Sequence, residues 1–209
     1  MKTYLDIENW PRKEHFNFFR KFEEPFFGVT VEIDCTKAYQ TSKKLESTFF
    51  IYYLYKTLVA VNTIEPFRYR ISEDKIIIYD KIDGSATIGR TDGSFGFSWI
   101  EYDADFEIFT ANAVLEIERV QNASGLFTRA FDTDNVIHFS AIPWINFTSL
   151  SHARSYTFPD SCPKISFGKM STNEAGKKTM SMSIHVHHGL MDGLHVGQFV
   201  DCFQELMNQ

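Results

Sequence analysis

Between Met180 and Met207 the chain changes its period midway, and that switch restricts the folds open to it. Met180, Met182, Ile184, Val186 and His188 alternate with Ser181, Ser183, His185 and His187, the repeat of a strand with one apolar and one polar face. Beyond a short polar turn, Val196, Phe199, Val200, Phe203, Leu206 and Met207 fall on one stripe of a helix. Asp192 is placed as the N-cap of that helix. A long strand must therefore run directly into a helix that packs back on it. The same register carries His188 inward at the strand end, with a carboxylate four residues later. Imidazole titrates near pH ~6.5, so a histidine so placed suits a general base. The competing reading is a hydrogen-bonded core histidine.

Upstream, Pro11 stands where a first helical residue would, and Phe16, Phe19 and Phe22 predict a helix to about Glu24. Arg12 and Lys13 fall in its first turn, the unfavourable end of the helix dipole for cations, which asks for a carboxylate partner. FFGVTVEID reads as a strand, with Val29, Val31 and Ile33 alternating against Thr30 and Glu32. Residues 36–64 read as helical with a break near Glu46 to Thr48, the second part apolar nearly all round and so buried. From Phe67 to about Tyr102 the signals are β, divided by turns at Glu73-Asp74 and Asp83-Gly84. An amphipathic helix is expected over 104–123, capped near Asp103 or Asp105 and followed by Gly125. A strand from Val136 to Leu150, kinked at Pro143, contains Ser140, and KISFGKM is a further strand after a loop bracketed by Pro159 and Pro163. The order of elements predicts an α+β chain, a two-layer α/β sandwich with a mixed β-sheet, as one domain over 1–209.

Charge narrows the function. The formal net charge is −6 with both signs scattered, so there is no basic stripe for nucleic acid. No window approaches roughly 18 uninterrupted apolar residues, and the N-terminus lacks a basic start followed by an apolar run, so a cytoplasmic protein without a membrane span is expected. Cys35, Cys162 and Cys202 lie far apart and outside any CxxC, which fits reduced thiols. His185, His187, His188 and His195 with Asp192 form a dense ligand set on paper. Alternation sets His185 and His187 on the face opposite His188, however, and no metal site is expected. The 21 phenylalanines can fill a large core or line a pocket for a flat apolar ligand.

His187-His188-Gly189-Leu190-Met191-Asp192-Gly193 resembles the HHxxxDG signature of the chloramphenicol acetyltransferases. Trp10 to Phe16 resembles the W-x-R-K-E-H-F element of that family, and Ser140-Ala141-Ile142-Pro143-Trp144 its S-A-x-P-W strand, in the expected order. HHxxxDG alone also occurs in condensation domains and dihydrolipoyl acyltransferases, but the three matches together span almost the whole chain. The resemblance implies the CoA-dependent acyltransferase fold and direct acetyl transfer from acetyl-CoA to a hydroxyl of chloramphenicol, which confers antibiotic resistance. It casts His188 as the base and Ser140 as donor to the developing oxyanion. Asp192 would pair with Arg12 as structural support, and Ser166 stands where a threonine often orients a water near the substrate. Phe19, Phe95, Phe127, Leu150 and His152 match positions bordering the acceptor pocket. Lys169 matches one lysine that meets the CoA nucleotide phosphate, while Thr48 stands at the other.

The resemblance further implies a homotrimer with each site between two subunits, no permanently bound cofactor, and acetyl-CoA as co-substrate. Related condensation enzymes place two such lobes in one chain, whereas 209 residues supply one. Two departures bear on the acceptor: Phe19 stands in place of a tyrosine, and His152 replaces an apolar residue. The same mechanism on another hydroxyl acceptor is therefore the main alternative. A non-catalytic binder of hydrophobic ligands is the second, although such a binder needs no base and oxyanion donor together.

Overall fold

The computed structural model describes residues 1–209. In chain order the elements are β1 (Lys2–Tyr4), α1 (Lys13–Phe19), β2 (Phe26–Asp34), α2 (Thr36–Lys44), α3 (Phe49–Thr63), a 3₁₀ turn (Glu65–Arg68), β3 (Tyr69–Ser72), β4 (Lys75–Tyr79), β5 (Asp83–Gly89) and β6 (Phe95–Phe97). They continue with α4 (Phe106–Asn122), β7 (Val136–Ala141), β8 (Lys164–Phe167), β9 (Ser171–Thr172), β10 (Lys178–His187) and α5 (Gly193–Met207). The main sheet runs β2-β10-β8-β7-β5-β6, with β9 pairing on β10. The pairs β5–β7 and β7–β8 are parallel and the others antiparallel, so the sheet is mixed. A smaller sheet has the order β1-β4-β3.

The alternation in β10 divides the sheet into two unlike faces. Met180, Met182, Ile184 and Val186 are buried with Ile33, Ile165, Phe167, Ile137, Phe139, Ala86 and Ile88 in one core. Leu54, Leu58 and Val61 of α3, Phe109 and Val120 of α4, and Val196, Phe199 and Phe203 of α5 join the same core. Each such side chain contributes roughly 1.5–3 kcal/mol on burial, enough together to fix the helices on this face. The opposite face carries hydroxyls, imidazoles and a lysine.

Local signals set the helix boundaries. Thr48 accepts from Ile51 N–H at 3.2 Å and starts α3 after the break, where Glu46 adopts a φ of 54°. Asp105 accepts from Glu107 and Ile108 N–H at 2.8 and 3.2 Å and starts α4, and Gly125 follows with a φ of 82°.

Three boundaries differ from expectation. Helix α1 ends at Phe19 instead of near Glu24, and Pro11 lies in the turn before it. Pro25 disfavours helical backbone at Glu24, and Phe22 is 44% exposed, so packing does not extend the helix. Asp83-Gly84 is not a turn but the start of β5, because the buried Asp83 carboxylate accepts from Tyr102 N–H at 2.8 Å and Trp99 Nε1–H at 3.2 Å. Strand β7 stops at Ala141, after which Ile142 N–H donates to Phe167 O at 2.8 Å and Pro143 ends the pairing. No helix is long and apolar enough to cross a membrane.

Candidate active site

His188 is the first residue past β10, and its placement is built from the backbone outward. Its N–H donates to Pro25 O at 2.8 Å, and its carbonyl accepts from Arg12 Nη2 at 3.1 Å. The ring stacks on Phe19, with centroids 3.9 Å apart and planes 12° from parallel, and meets Phe27 at 4.7 Å. Nδ1 is buried without a hydrogen-bond partner, which leaves Nε2 as the ring nitrogen that is not enclosed. A ring fixed on two aromatic faces with one open nitrogen can accept a proton at a defined point. Phe27, on the strand paired with β10 through Val186, belongs to this clamp, although the sequence marked only Phe19.

Arg12 and Asp192 close the loop beneath the histidine. Arg12 Nη1 donates to the Asp192 carboxylate, joining the start of α1 to the start of α5. Asp192 also accepts from Leu194 N–H at 3.0 Å, and its own N–H donates to His195 Nδ1 at 3.2 Å, a reciprocal cap. Burial disfavours the charge of Asp192. Arg12 and His195 outweigh it and hold the carboxyl below its ordinary range. A group with a depressed folded pKa stabilises the fold above its ordinary pKa of ~3.9 and loses that contribution as pH falls through the depressed value. Asp192→Asn is therefore expected to lower the melting temperature by about 2–4 °C at neutral pH, the gap closing in acid. Differential scanning calorimetry from neutral to acid pH tests this; equal melting at neutral pH would refute it.

Ser140 lies elsewhere. It pairs across β7 and β8 with Ser166, which pairs with Ser183, which pairs with Thr30, so four hydroxyls cross the open sheet face in one row. His188 stands five residues beyond Ser183. That offset is about 16 Å along the strand, with a further sideways step of about 10 Å across two strand spacings. Within one chain Ser140 and His188 do not share a site.

Of the other marked residues, Ser166 pairs with Ser140 and His152 meets Ser166, while Phe95 and Phe127 lie at the β6 edge. Ser166 is fully buried, and its Oγ lies 3.5 Å from His152 Nε2. Leu150 is half-buried on the same loop. Phe95 and Phe97 stand on the open face opposite Gly89 and Thr87, and Phe97 meets Phe127 at 5.4 Å. Phe95 and Phe127 remain 47% and 70% exposed. A cavity of ≈ 700 Å³ opens towards the β1-β4-β3 sheet, bordered by Phe97, Phe127, Ser85, His138 and Cys162 but by none of Ser140, Ser166, His152, Leu150 and Phe95. That is ample for a drug-sized ligand. Lys169 is exposed, and Thr48 serves as a helix cap.

Burial lowers the pKa of three histidines on or beside β10. Burial, reinforced by His185 and Lys164, pushes His152 down to about 4, and burial with Arg154 does the same to His187. Burial also lowers His185, whose ring lies on Gly28 so closely that an added Cβ would sit 2.4 Å from Nε2.

This sheet and its covering helices match solved acyltransferase structures. A chloramphenicol acetyltransferase superposes with a TM-score of 0.90 at 34% identity, covering 99% of this chain and 100% of that one. A probable dihydrolipoamide acetyltransferase from Listeria monocytogenes shares the fold at a TM-score of 0.68 and 16% identity, covering 93% and 88% of the two chains. The fold and the HHxxxDG turn at the end of β10 define a CoA-dependent acyltransferase. The profile of the chloramphenicol acetyltransferase family matches residues 1–204. Chloramphenicol acetyltransferase 3 of Escherichia coli is 30% identical over 207 residues, 99% of this chain and 97% of that protein. The chain belongs to the chloramphenicol acetyltransferase family.

Proposed function

We propose that this enzyme transfers the acetyl group of acetyl-CoA to a hydroxyl of chloramphenicol, and so confers resistance, at sites formed between the subunits of a homotrimer. His188 Nε2 takes the acceptor hydroxyl proton as the oxygen attacks the thioester carbonyl. Ser140 of the adjacent subunit donates to the resulting oxyanion. The tetrahedral intermediate collapses to the acetyl ester, and the CoA thiolate leaves with the proton returned by His188. A positioned base contributes about 10²–10⁴ in rate, and an oxyanion donor about 3–4 kcal/mol of barrier. The observation that carries this reading is the clamped ring of His188 with Nε2 open, in a chain similar to the family from end to end.

The separation of His188 from Ser140 within a chain supports sites between copies. Phe95, Phe127, Leu150, His152 and Ser166 then line the acceptor side and Phe19 the base side. Acetyl-CoA is a co-substrate and not a resident cofactor, and its supply sets the cytoplasm as the place of action. Exposed Lys169 meets the CoA phosphate alone, since Thr48 brings no charge, an exposed contact worth about 0–1 kcal/mol. The chain acts as one domain over 1–209, with no nucleic acid or membrane partner.

His152 and Phe19 favour a second reading, the same transfer to a different alcohol. Thiol release from acetyl-CoA with chloramphenicol and a panel of alcohols decides between the two. Chloramphenicol-dependent release is expected. Release with another alcohol alone retires the named acceptor, and chloramphenicol binding without any release leaves only a binder.

A further inference from the structure

The end of the main sheet remote from His188 carries a knot of contacts that the proton transfer does not use. Strand β7 runs past Ser140 into residues 142–147, which turn back where Ile145 N–H donates to Ile142 O at 3.2 Å. Ile142 N–H donates to Phe167 O and Lys169 N–H to Ile145 O, each at 2.8 Å, so this segment lies along the end of β8. Trp144 and Ile145 stay 80% and 57% exposed, and Lys169 is exposed as well.

Ser181 of β10 fastens this segment. Its hydroxyl donates to Phe147 O, and Oγ lies 3.0 Å from Asn146 Oδ1. Its carbonyl accepts from Gly168 N–H at 2.8 Å, immediately before Lys169. One residue thus holds the segment on one side and the chain leading into Lys169 on the other. Of residues 143–147 only Phe147 is buried, so hydrophobic packing holds the segment at a single point and hydrogen bonds must fix the rest. The fit is close: a Cβ on Gly168 would sit 3.1 Å from Ile145 O and 3.1 Å from Phe147 Cε1. Without the Ser181 hydroxyl the Phe147 carbonyl is left unpaired, a cost the segment relieves by moving off the sheet.

We propose that Ser181 is a positioning residue for the acyl donor: by fixing residues 142–147 against Gly168 it sets where Lys169, Trp144 and Ile145 stand, and so how tightly the nucleotide end of acetyl-CoA is held. This rests on Lys169 meeting the CoA phosphate, as in the reading above. Ser181 stands two residues along β10 from Ser183, which pairs with Ser166 and through it with Ser140. That places it about 7 Å from the level of Ser140 along the sheet, out of reach of the thioester carbonyl. Its effect therefore falls on donor binding and not on the chemical step. A loosened segment costs affinity only for a donor long enough to reach Lys169.

The test compares acetyl-CoA with acetyl-pantetheine, a thioester without the nucleotide, by thiol release with chloramphenicol at a fixed saturating concentration. Ser181→Ala is expected to raise the KM for acetyl-CoA about fivefold, with kcat unchanged and with kcat/KM for acetyl-pantetheine unchanged. Gly168→Ala, which crowds Ile145 O and leaves the Ser181 hydroxyl in place, is expected to weaken the preference for acetyl-CoA in the same direction. Each variant is assayed below its own melting temperature. An equal loss with both donors, or an unchanged KM for acetyl-CoA in Ser181→Ala, overturns the proposal. No thiol release by the wild type with either donor instead overturns the acetyl-transfer reading beneath it.

Discussion

His188→Ala is expected to lower kcat by about 10³-fold while leaving the melting temperature nearly unchanged. The ring is half-buried, and its packing on Phe19 is worth about 1 kcal/mol. Its backbone contacts to Pro25 and Arg12 survive the substitution, because they use the main chain alone. The loss should fall on kcat more than on the KM for acetyl-CoA, since a proton acceptor acts in the transition state and not in binding the nucleotide. Steady-state thiol release with a parallel melt checks both halves. A variant that turns over near the wild-type rate would remove His188 from the mechanism.

The second large effect appears only when subunits are mixed. His188→Ala and Ser140→Ala are each expected to be nearly inactive, the latter by about 10²–10³ in kcat. Unfolded together and reassembled in equal amounts, they should regain about a quarter of wild-type activity, because in a randomly assembled ring one interface in four pairs an intact His188 with an intact Ser140. The position of the two residues motivates the expectation: β7 and β10 are separated by β8, and His188 lies five residues past the level of Ser140 along the sheet. A mixture no more active than its parents would place base and oxyanion donor in the same subunit and reject the shared site.

The residues that were legible from sequence are those whose structure is decided locally. The switch from alternation to helical spacing at Met180–Met207 became β10 and α5, since each period belongs to a single element. The break near Glu46 to Thr48 and the cap near Asp103 or Asp105 were legible because a cap, at Thr48 and Asp105 in the fold, is satisfied within three residues. Asp83 misled for the opposite reason: an Asp-Gly pair reads as a turn until Trp99 and Tyr102 arrive to bind its carboxylate. Spacing at Phe16, Phe19 and Phe22 extended α1 too far, because Phe22 has no core to enter. The pairing of His138 with Lys164 and of Lys164 with His185 was equally hidden. His138, Lys164 and His185 are dispersed in sequence and become neighbours only through the order β7-β8-β10, which no local pattern encodes. Hydrophobic periodicity told which way β10 faces, but not which strands would flank it.

The distance between His188 and Ser140 on one polypeptide also bears on the life of a newly made chain. With the roles proposed above, an isolated copy carries a base with no oxyanion donor in reach and an acceptor side with no base above it. Acetyl-CoA met before assembly therefore encounters only half of the chemistry needed to cleave its thioester. On the shared site proposed above, inertness is the starting condition of the chain, and catalytic competence arrives at the moment of assembly.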